Sequence, residues 1–176
     1  MMKIATEELQ YRKLEEEHIP HLLAFQEDVF NEDENAKETL RRNTYETLKP
    51  CFNKESLVLG VYYHEEMVAF GILYFAGEDH ENLAYSLDEI PENIKEYGNV
   101  KLIIVKKNYR GNGIQRLLIE RFVDYARKHG YAGLLSTASP LNIPSCKSLE
   151  RCDFKLAKVV KKYGGLTRNL YFLKLR

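Results

Sequence analysis

A glycine-containing segment between two apolar stretches is the part of this sequence best suited to chemistry. The segment Arg110-Gly111-Asn112-Gly113-Ile114-Gln115 follows an apolar run at residues 100–105, which predicts a buried strand. Apolar residues then recur at steps of three and four, which predicts a helix: Ile114, Leu117, Leu118, Phe122, Tyr125 and Ala126. A helix start leaves backbone N–H groups unpaired, and glycines beside it let an anion approach them. We therefore predict a binding site for a phosphate-bearing ligand at this loop.

Basic residues surround the glycine loop, and the glycine spacing excludes two common classes of phosphate site. Four basic side chains lie close to the loop in the sequence: Lys106, Lys107, Arg110 and Arg116. A nucleotide P-loop requires GxxxxGK[ST], which is absent from the chain, and a dinucleotide fingerprint requires a third glycine where Arg116 stands. The loop therefore belongs to neither of these two classes.

The length and composition of the chain limit its domain number, its location and its metal content. A chain of 176 residues is most simply one domain, so we predict a single domain over residues 1–176. There is no apolar run of about 18 residues for a membrane span, and the first ten residues lack the apolar core of a signal peptide. Cys51, Cys146 and Cys152 form no even framework, and the five histidines lack metal-ligand spacing. We therefore expect a cytoplasmic protein with free thiols and no metal.

The remaining pattern predicts alternating strands and helices. The predicted strands lie at residues 9–14, 57–63, 67–75, 100–105, 131–138, 154–162 and 169–175, and the helices at residues 18–30, 36–48, 114–128 and 145–151. Residues 76–98 are an insertion in which we expect a short helix before Pro91 and another at residues 92–97. Hairpins at both ends of such an alternating chain predict an α/β protein with a mixed sheet.

Two segments resemble a known family. The loop at residues 110–115 resembles the acyl-CoA loop Q/R-x-x-G-x-G/A of the GCN5-related N-acetyltransferases (GNAT): Arg110 and Gly113 match, and Gln115 departs from the small residue. Residues 142–154 resemble the family pattern N-x-x-A/S-x-x-x-Y-x-x-x-G-F. Asn142, Ser145 and Phe154 match this pattern, whereas Leu149 replaces the Tyr and Asp153 replaces the Gly. The resemblance covers residues 57–154 in good order.

The resemblance implies a fold, a donor and a reaction. The fold is the single-domain acyl-CoA N-acyltransferase fold, with a mixed, mostly antiparallel sheet of about six to seven strands flanked by helices. The reaction is direct transfer of an acetyl group from acetyl-CoA to a primary amine on a small molecule or a protein N-terminus. The implied donor-binding residues are Ile103, Ile104, Val105, Arg110, Gly111, Asn112, Gly113, Ile114, Gln115 and Asn142. In this fold an amide after a bulge in the loop strand polarises the thioester.

The sequence identifies the catalytic groups less directly than the donor-binding residues. A family branch that acetylates ribosomal protein termini has Ser at the position of Ser145, so we predict that Ser145 protonates the leaving thiolate, with Tyr163 and Tyr171 as further candidates. Members commonly carry an acidic base on the loop strand, but here that strand offers only Asn99 and Lys101. The candidate bases are Glu78, Asp88 and Glu96, of which we select Glu96. The candidates to line the acceptor pocket are Tyr85, Asp88, Glu89, Glu92 and Glu96.

The zero net charge conceals an asymmetry along the chain. Residues 1–98 contain 22 acidic and 9 basic residues, whereas residues 99–176 contain 4 acidic and 17 basic residues. A basic half around an anion loop suits coenzyme A, which carries a diphosphate and a further phosphate. The acidic half, including the loop at residues 31–35, could steer a cationic amine, although solvated surface charge explains it more simply. A nucleic-acid-binding protein would show an overall basic surplus, so we expect no such partner.

Other functions stay open. The missing tyrosine and the unreadable base leave room for a non-catalytic acyl-CoA-binding sensor or regulatory module. A protein-interaction domain with a vacant glycine loop is a second alternative. An acyl-enzyme on Cys146 is disfavoured, because no histidine is near it in sequence and buried cysteines are usually inert. The expected partners are an amine acceptor and, from the resemblance, a second copy of the chain, with no membrane contact.

Overall fold

Seven β-strands form one mixed sheet, and the computed structural model describes residues 1–176. The strands are β1 Gln10–Lys13, β2 Leu57–Tyr63, β3 Glu66–Tyr74, β4 Tyr97–Val105, β5 Gly133–Ala138, β6 Lys155–Lys162 and β7 Leu166–Lys174. Their order across the sheet is β1-β2-β3-β4-β5-β7-β6. Neighbours are antiparallel except β4 and β5, which are parallel. The predicted α/β fold with a mixed, mostly antiparallel sheet of six to seven strands is confirmed.

Helices cover both faces of this sheet. They are α1 Ile19–Glu32, α2 Ala36–Thr39, α3 Tyr45–Leu48, α4 Ile114–Lys128 and α5 Ile143–Arg151. The helix α1 packs on β2, β3 and β4 through a cluster that includes Leu22, Phe25 and Phe70. The helices α4 and α5 pack on the opposite face through a cluster that includes Phe122 and Leu149. None of the helices has the length and apolarity that crossing a lipid bilayer requires.

The predicted helix at residues 36–48 is wrong, because tertiary hydrogen bonds interrupt it. The buried Gln26 on α1 binds the backbone of Asn43 in both directions: Nε2 donates to its carbonyl oxygen at 3.0 Å, and Oε1 accepts from its N–H at 2.8 Å. Thr44 then begins α3 by a capping box with Thr47. Two single helical turns therefore replace one long helix.

The insertion is shorter than predicted and is held by a buried asparagine. Strand β4 begins at Tyr97, and the two expected short helices are single 3-10 turns, Leu83–Ser86 and Ile94–Glu96. The fully buried Asn82 donates from Nδ2 to the carbonyl oxygens of Gly77, Ile94 and Tyr97. These bonds fix the insertion alongside β4, on the face of the sheet that carries α1.

At Gly98 the sheet leaves no room for a side chain. A Cβ atom there would overlap the buried ring of Phe75, which stacks on Tyr131 with ring centroids 3.7 Å apart. We expect Gly98→Ala to lower the free energy of unfolding by about 2 kcal/mol, because the ring must move. Urea unfolding measures this difference. Gly71→Ala, whose Cβ would lie 3.0 Å from the Phe122 ring, should cost less; a Gly98→Ala protein as stable as the wild type would contradict the prediction.

Candidate active site

A V-shaped split opens between β4 and β5. Their parallel pairing covers four residue pairs and ends where Val100 lies opposite Ser136. Beyond this point β4 continues to Val105 paired only with β3, and β5 continues to Ala138 paired only with β7. The Ser136 hydroxyl donates to the Val100 carbonyl oxygen at 2.8 Å and closes the apex of the split. Two free backbone edges therefore diverge inside the sheet.

The glycine loop beside this split presents free backbone donors. None of the N–H groups of residues 111–116 donates a hydrogen bond within the protein. Gly113, the N-cap of α4, has φ +75°, and a Cβ atom on it would meet no other atom within 4 Å. Consecutive free donors, open space and the positive end of the α4 dipole together fit a diphosphate. The loop therefore has the geometry that an anion site needs.

Two of the cations near the loop pair locally. Lys106 pairs with Glu66 at 2.8 Å, and Arg116 pairs with Glu120 at 3.3 Å. Lys107 is exposed and forms no ion pair. The backbone donors, more than the basic side chains, are therefore what the loop offers to an anion.

Arg110 and Asn112 shape the loop through their side chains. Arg110 donates from Nη1 to Oδ2 of Asp33 at 2.5 Å and from Nε to the Val105 carbonyl oxygen at 3.2 Å. The hydrogen bond from Arg110 holds the pKa of Asp33 below its usual value. Asn112 donates from Nδ2 to the Tyr109 carbonyl oxygen at 2.9 Å. Both side chains are turned into the protein, so they contribute to an anion site by holding the loop in its conformation.

A cleft passes through the split and reaches both faces of the sheet. On the face of α4 and α5 it is lined by Gln115, Ile119, Asn142, Ser145 and Leu149. On the face of α1 and the insertion it is lined by Arg41, Asn43, Glu81, Lys101, Tyr163 and Arg168. Two molecules bound on opposite faces can therefore meet within the split.

Ser145 and Gln115 meet on the α4 side of the cleft. Nε2 of Gln115 donates to Oγ of Ser145 at 2.7 Å, and Asn142 caps α5 by accepting from the Ser145 N–H at 3.3 Å. Because the serine oxygen already accepts this bond, its own proton is free to be donated into the cleft. The Gln115 that departs from the family loop therefore orients the predicted serine. Leu149, at the position of the family tyrosine, lines the same wall with an apolar side chain.

Glu81 is the one acidic side chain that lines the cleft, and it is not among the acids predicted from the sequence. Asn99 on β4 fixes its backbone, since Nδ2 of Asn99 donates to the Glu81 carbonyl oxygen at 2.9 Å. Its carboxylate lies 3.8 Å from Nη1 of Arg41. Glu81 is one of several acids in a polar insertion, and its spacing gives no sign that the neighbouring Asn82 anchors it beside β4.

The acids that were predicted to act in the site lie elsewhere. Glu96 pairs with Arg176 at 2.7 Å, Asp88 with Lys158 at 2.8 Å and Glu78 with Lys95 at 3.5 Å. Neither they nor Tyr85, Glu89 and Glu92 line the cleft. Glu96 precedes the end of β4 that pairs with β5, where the sheet is closed. The structure therefore does not bring the predicted base Glu96 to Ser145.

The other candidate proton donors and the candidate nucleophile also differ in whether they line the cleft. The Tyr163 hydroxyl lies 3.0 Å from Oγ1 of Thr137, and its side chain lines the cleft. Tyr171 is buried and donates to Glu150 at 3.1 Å, and burial raises its pKa. Cys146 is also buried outside the cleft lining. Of these three side chains, the cleft exposes only Tyr163 to a reacting group.

The bulge in β4 lies earlier than the residues predicted to contact the thioester. Leu102 pairs with Ile72 and Val100 with Leu73, so Lys101 is the extra residue. Of residues 103–105 only Ile103 lines the cleft, whereas Ile104 is buried against α1. The unpaired edge that faces the split therefore begins at the bulge itself.

Comparison with known proteins decides the family. The sequence model of the Acetyltransferase (GNAT) family matches residues 14–154. This chain belongs to the GNAT family. The residues that match in this GNAT chain include the glycine loop, both strands of the split and α4.

Individual relatives agree with this assignment. Streptothricin acetyltransferase A from Bacillus subtilis (strain 168) is 27% identical over 112 residues, which are 63% of this GNAT chain and 62% of that protein. A GCN5-related N-acetyltransferase from Kribbella flavida superposes with a TM-score of 0.72 at 16% identity, covering 97% of this chain and 100% of that one. The structure of yncA from Salmonella typhimurium with its cofactor acetyl-CoA gives 0.69 at 13% identity, covering 96% and 95%. The structural relatives support the fold.

Proposed function

We propose that this GNAT protein transfers an acetyl group from acetyl-CoA to a primary amine by direct attack of the amine. The observation that carries the proposal is the run of free N–H groups at residues 111–116 beside an open split in the sheet. When bound, acetyl-CoA supplies the acetyl thioester. The relative solved with acetyl-CoA supports the choice of donor.

The glycine loop at residues 110–115, which we call the diphosphate cradle, supplies most of the residues for donor binding. The N–H groups of Gly111, Asn112, Gly113, Ile114 and Gln115 would hold the diphosphate, and Arg110 would keep the loop in place through Asp33. The free edge of β4 from Lys101 to Ile103 would donate to the thioester carbonyl oxygen, where preorganised N–H groups stabilise developing charge. Asn142 would act through its cap on α5, which sets the position of Ser145.

Proton transfer divides between the two faces of the cleft. An amine attacks only when neutral, so a carboxylate must take its proton. Glu81 would do this on the acceptor face, directly or through one water, and it replaces Glu96 in this role. On the donor face Ser145 would pass its proton, which Gln115 leaves free, to the leaving thiolate, and it would take in its place, directly or through water, the proton that the attacking nitrogen loses. The reaction needs no covalent enzyme intermediate.

We expect Ser145→Ala to lower kcat by about a hundredfold, because the leaving thiolate loses its proton donor. The affinity for acetyl-CoA should stay within about twofold, since the diphosphate cradle is untouched. Steady-state thiol release and calorimetric titration separate these two effects. The matched control is Ser148→Ala on the same helix, whose hydroxyl donates to the Pro144 carbonyl oxygen. If both serine variants kept wild-type kcat, Ser145 would be only a helix-start residue.

Isothermal titration with acetyl-CoA followed by thiol release with a panel of amines tests the proposed function. Binding with turnover of at least one amine supports an enzyme. Binding without thiol release from any amine favours the alternative of an acyl-CoA-binding sensor. Absence of binding at millimolar acetyl-CoA would refute both. The panel should include streptothricin, the compound in the name of the Bacillus subtilis relative.

The oligomeric state and the cellular location of the protein are two further predictions. The edge strand β6 exposes Leu156 and Val159, and a homodimer is expected from the family resemblance. A cytoplasmic location is expected from the sequence alone. Sedimentation velocity and fractionation of cells address them separately.

A further inference from the structure

A buried arginine on β7 has no acidic partner. Arg168 is 5% exposed, and its guanidinium donates one hydrogen bond within the protein, from Nη1 to the carbonyl oxygen of the adjacent Thr167 at 3.0 Å. It forms no ion pair, and burial lowers its pKa. Buried charges are almost always paired, because removing one from water is costly. This arginine therefore lacks the partner that its position calls for.

The free donors of Arg168 face the cleft. The residue lines the cleft, and no fully enclosed side-chain nitrogen or oxygen in the protein lacks a hydrogen-bond partner. The remaining guanidinium N–H groups have no protein acceptor and are not fully enclosed, and the cleft is the open space that Arg168 lines. A guanidinium presents these donors as a flat fork that matches a carboxylate.

Arg168 lies on the face of the sheet opposite the glycine loop. Side chains alternate along a strand, and Leu170 packs with the insertion whereas Tyr171 packs with α4 and α5. Arg168 is two residues from Leu170 and shares its face. The diphosphate cradle at Gly113 begins α4, on the other face. The guanidinium is therefore placed for the acceptor and away from the donor phosphates.

The acceptor side of the cleft is cationic overall. Three cations line it, Arg41, Lys101 and Arg168, against the single carboxylate of Glu81. The guanidinium of Arg41 lies over the Tyr163 ring at 4.6 Å, and that of Arg168 lies 5.9 Å from the same ring. The acidic surplus of residues 1–98 thus does not extend into the cleft. A polycationic acceptor would meet three like charges there.

We propose that the acceptor is a small amine that also carries a carboxylate, an amino acid in the broad sense, whose carboxylate pairs with Arg168 while its amine faces Glu81. The inference rests on the proposed function and narrows its acceptor. The carboxylate supplies the acidic partner that Arg168 lacks, and the arginine in turn orients the amine toward the split. Arg168 is then a specificity-determining residue.

The test compares amino acids with their own carboxamides. Thiol release from acetyl-CoA is measured for the twenty L-amino acids, a series of ω-amino acids and the matched amides. Because a site built to bind a polar group rejects analogues without it, we expect at least about tenfold higher kcat/KM for the best acid than for its amide. Equal or better use of the amides, or turnover only of amines that lack a carboxylate, would overturn the inference.

Variants then assign the preference to one residue. Arg168→Gln should raise KM for the acid by about a hundredfold and abolish the preference over the amide, with the acetyl-CoA affinity unchanged. Arg168→Lys should restore part of the preference, which also covers the case in which the glutamine variant fails to fold. Arg151→Gln, an exposed arginine on α5 outside the cleft, is the matched control. A preference that survives in the folded Arg168→Gln protein would overturn the proposal.

The outcomes separate this inference from the proposed function. Failure to bind acetyl-CoA in the titration would refute the function itself. Binding of acetyl-CoA with no thiol release from any acid in the panel would overturn the acceptor class while leaving donor binding intact.

Discussion

The variant Gly113→Asp is expected to bind acetyl-CoA about a hundredfold more weakly than the wild type, a loss of about 3 kcal/mol. The new carboxylate would occupy the open space above the free N–H groups, where the diphosphate is proposed to lie. Like charges at about 4 Å repel by about 1–4 kcal/mol near a protein surface. Asp tolerates the left-handed conformation at φ +75° better than most residues, so the fold should persist.

Two matched variants isolate the charge. Gly113→Asn has nearly the same shape and backbone preference without the charge, so it should weaken binding by only a few fold. Gly130→Asp lies at the opposite end of α4, also at φ +75° with nothing within 4 Å of its Cβ, and should bind like the wild type. Calorimetric titration at two salt concentrations measures the three affinities. Wild-type affinity in Gly113→Asp would remove the loop from the donor site.

Glu81→Gln is expected to lower kcat/KM for the acceptor by about a thousandfold at neutral pH, because the protonated amine loses its base. Glutamine keeps the shape of the side chain, and the bond from Asn99 to the residue 81 carbonyl oxygen involves only the backbone. The activity of the variant should recover as pH rises, since more of the amine is then neutral without help. A pH–rate profile of both proteins measures this convergence.

Neighbouring acids supply the controls for Glu81. Glu78→Gln and Glu96→Gln remove carboxylates that pair with Lys95 and Arg176 outside the cleft, and both should keep near-wild-type rates. If Glu96→Gln lost as much activity as Glu81→Gln, the base would be assigned to the wrong acid. A Glu81→Gln protein with an unchanged pH profile would show that the amine reaches the cleft already neutral.

The strand, glycine loop and helix at residues 100–128 could be predicted because local signals agree there. Apolar periodicity, glycines of positive φ and a helix start point to the same structure, and the hairpin of β2 and β3 follows from an equally consistent pattern. The helix predicted at residues 36–48 failed because a distant side chain, Gln26, competes for the backbone of Asn43. Single-sequence periodicity contains no information about such a partner.

The residues of the candidate site also differ in whether local sequence signals predict them. Ser145 and Gln115 come from motifs, but their contact at 2.7 Å depends on how α4 and α5 pack. Glu81 and Arg168 belong to no motif. One reaches the cleft because the insertion is anchored by Asn82, and the other because β7 pairs with β5 beside the split. Acceptor-side residues of this kind emerge only from long-range contacts.

The short junction between β4 and β5 has a mechanical consequence. Four residue pairs, the backbone bond from Ala132 to Glu96 and the apical bond from Ser136 to Val100 join the two halves of the sheet there. Past Val100 the gap between the strands can widen or narrow without breaking any backbone hydrogen bond across it. A change in the width of this gap therefore costs no hydrogen bond between β4 and β5, and the packing of α4 on both strands is what limits it.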